Sequence, residues 1–216
     1  MKRFYSLFYC LGLSANSLFA QELYPPILKS GTWHNEDASL RYRPEGRDFV
    51  IHNGTRRFTR ALYGTNTAFR VEAGDLPEFA LYMPAMGGNL QFGLLDGNNS
   101  KWLIKARDIT ARYRPGSMIY AIKDPLLGNG TLHLTLLALS NSDGMVLKAR
   151  FENVKKDVEL LWVFGGASDK KFSRSGDMGV DPESSFYLEK QNCKDNLFTV
   201  TKNSFELQYA KIKKIN

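Results

Sequence analysis

Thr131-Leu132-His133-Leu134-Thr135-Leu136-Leu137-Ala138, then Asp143-Gly144, then Met145-Val146-Leu147-Lys148-Ala149-Arg150-Phe151, is the stretch that decides the fold. Leu132, Leu134 and Leu136 alternate with Thr131, His133 and Thr135, the period of two that gives a strand one dry face and one wet face. After the turn, Met145, Leu147, Ala149 and Phe151 alternate with Val146, Lys148 and Arg150. Asp-Gly between two such runs marks a hairpin, because both residues tolerate the positive φ of a tight turn. The pattern predicts two half-buried antiparallel strands.

The same period extends in both directions. Val158 to Phe164 is apolar at nearly every position and ends in Gly165-Gly166, which predicts a central strand buried on both sides with Trp162 in the core. Asn53-Gly54 predicts a second hairpin, with Phe49, Ile51 and Phe58 on its dry face and His52, Thr55 and Arg57 on the other. Shorter strands are expected at Phe69–Ala73, Phe79–Met83, Asn89–Leu95, Asp108–Arg114, Met118–Lys123, Ser185–Lys190, Leu197–Thr201 and Phe205–Lys211. Ala167–Glu183 has no period and reads as a long surface loop. No run carries apolar residues at helical spacing for three turns with caps at its ends. About a dozen strands separated by Gly, Asn, Asp and Pro turns predict an all-β, antiparallel β-sandwich, with a closed or distorted β-barrel as the alternative.

The 216 residues are enough for one domain with a sizeable core, and the composition excludes disorder and low complexity. Lys2 and Arg3, the apolar run Phe4–Leu13 and the small residue Ala20 read as a signal peptide over residues 1–20, followed by an N-terminal lead over 21–38 and a single β domain over 39–216. Ten or so apolar residues are too few to span about 30 Å of hydrocarbon, so no stable membrane insertion is expected after cleavage, and the destination is periplasmic or secreted. Cleavage leaves Cys193 as a lone, half-buried thiol, which excludes an internal disulfide. It also lowers the formal charge from +7 to +5. Arginines such as Arg41, Arg43, Arg112 and Arg114 alternate with other residues as on a solvated strand face, so nucleic acid is not an expected partner.

No nucleophile elbow, phosphate loop, dinucleotide fingerprint or cysteine pair is present, and His34, His52 and His133 are too scattered for a metal site or a triad. No cofactor and no metal are therefore expected. Carboxylates cluster instead at Glu72, Asp75 and Glu78. Glycoside hydrolysis needs two carboxyls at a short fixed separation, which makes a small stand-alone hydrolase one hypothesis. The simpler expectation is a surface ion pair between Arg70 and Glu72, with Asp75 capping a turn. Sugar binding asks only for an aromatic face and a few planar polar groups. Arg70, Glu72, Asp75, Tyr82, Asn89 and Trp102 are accordingly the candidate glycan-binding residues, and no residue is assigned as catalytic. Trp33 lies in the polar lead, and an interaction module with exposed strand edges is a further hypothesis.

Arg41-Tyr42-Arg43-Pro44, Asn53-Gly54, Ala61-Leu62-Tyr63-Gly64-Thr65-Asn66-Thr67-Ala68-Phe69-Arg70 and Met86-Gly87-Gly88-Asn89 carry a resemblance over roughly Ser39 to the C-terminus. The chain resembles large secreted bacterial proteins in which a β-rich N-terminal domain of unknown function, of the DUF4450 type, precedes a six-hairpin glycosidase-like barrel. The resemblance implies a super-sandwich like that of galactose mutarotases and a place in polysaccharide degradation. Hydrolysis would reside in the barrel, which the sequence to Asn216 does not contain. The expectation is thus a noncatalytic accessory domain whose partners are carbohydrate or a glycosidase barrel.

Overall fold

Alternation governs the observed strands as it governs the sequence. A computed structural model describes residues 40–83, 85–154, 157–168, 187–210 and 213–215. The signal peptide, Trp33, His34 and most of the Ala167–Glu183 loop lie outside the described residues. The strands are β1 (Arg43–Glu45), β2 (Asp48–His52), β3 (Arg60–Leu62), β4 (Arg70–Ala73), β5 (Glu78–Met83), β6 (Ala85–Asp96), β7 (Asn99–Trp102) and β8 (Asp108–Arg114). They continue with β9 (Ser117–Lys123), β10 (Thr131–Ala138), β11 (Met145–Glu152), β12 (Val158–Gly165), β13 (Leu197–Val200), β14 (Phe205–Tyr209) and β15 (Lys213–Ile215). Every pairing is antiparallel, no sheet closes into a barrel, and no α-helix occurs among the described residues.

Two six-stranded sheets form a sandwich. The first has the order β1-β2-β8-β9-β10-β11, and the second runs β12-β6-β5-β4-β3 with β7 also paired to β6. Leu132, Leu134 and Leu136 of β10 are fully buried and meet Val71, Phe79 and Leu94 of the second sheet in one core. Truncating any of these leucines to Ala costs about 2–5 kcal/mol, because a packed interior collapses only partly around the gap. Tyr120 is buried in the same core, and its hydroxyl donates to the carbonyl oxygen of Gly74 at 2.8 Å. A third sheet, β13-β14-β15, adds Leu207 and Tyr209 to that core.

The hairpin at Asp143-Gly144 forms, but its connection is longer than two residues: Ala138 pairs with Met145, and residues 139–144 make the turn, with the Leu139 amide donating to Gly144. Its second strand is drier in expectation than in fact, since β11 is an edge strand and Ala149 and Phe151 are exposed. The hairpin expected at Asn53-Gly54 does not form. Asn53 does adopt the positive φ of a turn (48°), yet β2 pairs with β1 and β8 while the chain beyond Gly54 crosses to the second sheet. Phe49 is correspondingly exposed, whereas Phe58 is buried on that other sheet.

Val158–Phe164 is also corrected. It forms β12, the edge of the second sheet, and Leu161, Trp162 and Val163 are each at least 39% exposed. The expected strand at Ser185–Lys190 is not seen in its described part, where Lys190–Asn192 forms a 3-10 turn.

The β3–β4 connection of one sheet is tied to the β10–β11 turn of the other. The Thr67 hydroxyl donates to Asp143 Oδ1 at 2.8 Å and lies 2.8 Å from the Thr65 hydroxyl. The polar residues of the Tyr63–Ala68 stretch thus hold one end of the sandwich together.

Candidate functional site

In an antiparallel sheet, paired residues share a face, and so do residues two apart along a strand. Arg70 pairs with Tyr82, Glu72 with Ala80, Ala80 with Asn89, Glu78 with Gln91, and Gly93 with Trp102. Arg70, Glu72, Tyr82, Asn89 and Trp102 therefore stand on one face of the second sheet, turned away from the sandwich core, together with Glu78 and Gln91. Asp75 alone of the candidate residues lies elsewhere, in the turn between β4 and β5.

That face is covered rather than wet. Arg70, Glu72, Glu78, Tyr82 and Asn89 are all buried, and Phe58 and Tyr187 pack beside Ala80 and Tyr82. The expected surface pair is thus a buried one: Arg70 Nε donates to Glu72 Oε1, and its guanidinium carbon lies 3.7 Å from the centroid of the Tyr82 ring. Burial pushes the Glu72 carboxyl above its ordinary value, against the opposing pull of the Arg70 hydrogen bond and charge.

Glu78 is held by a different set. Its Oε1 accepts hydrogen bonds from the side-chain amides of Asn89 and Gln91, each at 2.8 Å. Arg57 Nε stands 3.0 Å from Oε2, an ion pair not aligned as a hydrogen bond. Arg57 also lies over the Tyr187 ring at 4.6 Å. Glu72 and Glu78 are diagonal neighbours across β4 and β5, a relation that places Cα atoms about 7–8 Å apart. Sequence reasoning placed Glu78 near this face but missed Arg57 and Gln91. For Gln91 the signal was its two-residue spacing from Asn89, and for Arg57 there was none.

Asp75 acts as a clasp. Its Oδ1 accepts from the Tyr42 hydroxyl at 2.8 Å and its Oδ2 from the Arg56 amide at 3.0 Å, while its own amide donates to Arg56. This fixes the chain where it crosses between sheets. Gly54 is required there, because a Cβ would meet Asp75 Oδ2 at 2.5 Å.

Trp102 is the exposed candidate, at the rim of the buried face on β7. His52 lies 3.0 Å from the Thr110 hydroxyl and His133 lies 2.8 Å from Glu152, both on strand surfaces, while Cys193 is half-buried. Among the described residues no three His, Cys, Asp or Glu side chains gather as metal ligands, and no helix is long and apolar enough to cross a membrane.

A second feature has no counterpart in the expectations. Trp162 shares a face with its partner Phe92, but as part of an edge strand it reaches past the core and lies 5.7 Å from Phe205 of β14, centroid to centroid. Phe164 and Phe198 lie 5.4 and 6.4 Å from the same ring. On the third sheet, Phe198, Val200, Phe205 and Leu207 share a face that is buried at Leu207 and exposed at Phe198 and Val200. Between this exposed end and β12 runs an open groove of about 800 Å³, bounded by the turn Thr201–Ser204.

A family described as Domain of unknown function (DUF4450) matches residues 83–216. The chain belongs to that family. Comparison with curated proteins and with solved structures found no match. The aromatic groove, Asn89, Gln91 and Trp102 fall within the DUF4450 match, whereas Arg57, Arg70, Glu72, Asp75 and Glu78 precede it.

Proposed function

We propose that the chain is a noncatalytic accessory module of an exported bacterial system that degrades polysaccharide, packing beside a six-hairpin glycosidase barrel or contacting its glycan. The observation that carries this reading is the set of exposed apolar residues on two strands, Leu161, Trp162 and Val163 of β12 and Leu197, Phe198 and Val200 of β13, of which Trp162, Phe198 and Val200 line one groove. Edge strands of soluble domains are usually blunted by charge or proline, and apolar patches left open mark contact surfaces. The state of the acids agrees with a noncatalytic role. Glu72, Asp75 and Glu78 are buried and engaged by Arg70, by Tyr42 and the Arg56 amide, and by Arg57, Asn89 and Gln91. A general acid or nucleophile has to reach its substrate.

The test is the size and company of the native product. An antibody against the β domain is expected to detect it on, or bound to, a polypeptide far larger than 24.5 kDa that carries glycosidase activity. A product no larger than 24.5 kDa that sediments alone and co-purifies with no glycosidase would overturn the reading. Export is checked by fractionation, with the protein expected outside the cytoplasm and shortened near Gln21.

A further inference from the structure

We propose that the groove between β12 and the β13–β14 turn is a carbohydrate subsite, seating a pyranose ring of a neutral oligosaccharide against Trp162 and Phe198. This deepens the accessory-module reading and rests on it for the choice of glycan. Two aromatic side chains at the groove remain about half exposed, Trp162 at 54% and Phe198 at 48%, although Phe205 beneath them offers a place to pack. Trp162 leans on Phe205 at an interplanar angle of 38°, so its ring is braced in position while much of it stays open.

The rim separates a sugar from an apolar peptide as occupant. Residues 201–204 are Thr, Lys, Asn and Ser, so the aromatic floor is bordered by two hydroxyls, an amide and an ammonium group. The Thr201 and Ser204 hydroxyls are 2.7 Å apart and fix the turn, and Lys202 and Asn203, both exposed, belong to the same lining. A pyranose has apolar C–H faces and a belt of hydroxyls, which matches aromatic floor and polar rim together. The volume lies within the span of small-ligand sites, roughly 300–1,000 Å³. Glu206, the one carboxylate among the described residues that line the groove, is paired with Lys214 at 2.9 Å, an arrangement suited to holding a sugar.

The test is titration of the full chain with cellohexaose, xylohexaose and mannohexaose, followed by heat release and tryptophan emission. At least one sugar is expected to bind with a dissociation constant at or below the millimolar range. W162A and F198A, checked by far-ultraviolet dichroism for retained fold, are expected to weaken it at least tenfold, N203A several-fold, and F49L, at an exposed aromatic of the first sheet, not at all. Absence of binding by every sugar at 5 mM, or binding that survives W162A and F198A, would overturn the proposal. So would binding of an apolar dye at the groove with no competition from any sugar. Because native size and glycosidase association are measured separately, a failed titration leaves the accessory-module reading to stand or fall on its own test.

Discussion

A Cβ on Gly64 would stand 1.9 Å from the carbonyl oxygen of Leu139, so the β3–β4 connection and the β10–β11 turn approach more closely than any side-chain-bearing residue permits. The neighbour is backbone and cannot rotate away. G64A is expected to part the two sheets at this end and to lower stability by about 1–3 kcal/mol, the usual cost of overpacking. Urea unfolding measures it, and an unchanged midpoint would refute the close approach.

The Arg70–Glu72 pair gives a prediction with a sign. Removing one partner of a buried pair strands the other charge and costs about 3–5 kcal/mol, whereas replacing both by apolar residues is near neutral. R70M is therefore expected to be markedly less stable than R70M/E72L. Glu72 has its folded value raised, so its protonated form is the one the fold prefers. Its stabilising contribution is present below its ordinary value and lost as pH rises through the folded one. R70M is accordingly expected to be less destabilised at pH 4 than at pH 8, measured by thermal unfolding at each.

Asp124 titrates the other way. It is fully buried, and its carboxylate receives Lys101 Nζ at 2.8 and 3.0 Å and the amides of Arg107 and Leu126. Burial works to raise its value, but the Lys101 hydrogen bond and the two amides outweigh it, and the net shift is downward. A lowered acid contributes stability above its ordinary value and loses it as pH falls through the folded one. D124N is expected to cost about 1–3 kcal/mol at pH 7, with the difference narrowing as the pH approaches 2. A pH-independent difference would argue against the ionic clasp.

Val163 tests the edge position of β12. V163K is expected to change stability by less than about 0.5 kcal/mol while raising solubility, since a lysine on an open edge discourages strand pairing. In a central strand the same charge would unfold the domain. Acrylamide should also quench Trp162 strongly in a chain whose other tryptophans are replaced by Phe.

The hairpin Thr131–Phe151 was legible from its periodicity, although Asp143 and Gly144 close a six-residue connection and neither takes the positive φ of a tight turn. β12 was misread for a definite reason: an apolar run reports that both faces avoid charge, but not how many strands lie alongside. Pairing with β6 alone leaves Trp162 beyond the core. The polar face of β4 and β5 was placed on the correct side of the sheet, and five of the six candidate residues do share it. The burial of four of them, all but Trp102, was invisible because alternation says nothing about a cover built from Phe58 and Tyr187. Asn53-Gly54 carried a true turn signal, but a positive φ at one residue does not specify which sheet the next strand joins.

The crossing at Asn53-Gly54 also sets an order of events. Strand β2 finds its second neighbour in β8, Phe49 opposite Tyr113, and five strands of the opposing sheet intervene in the chain. Non-local pairing of this kind slows folding, because loop closure precedes any reward. A chain emerging N-terminus first has to leave one edge of β2 waiting until Tyr113 arrives, whereas the β8–β9, β9–β10 and β10–β11 pairs can zip as they appear. Strands β8 to β11 are therefore expected to form the first sheet before β1 and β2 join it, which earlier amide protection of β8–β11 than of β2 during refolding would show.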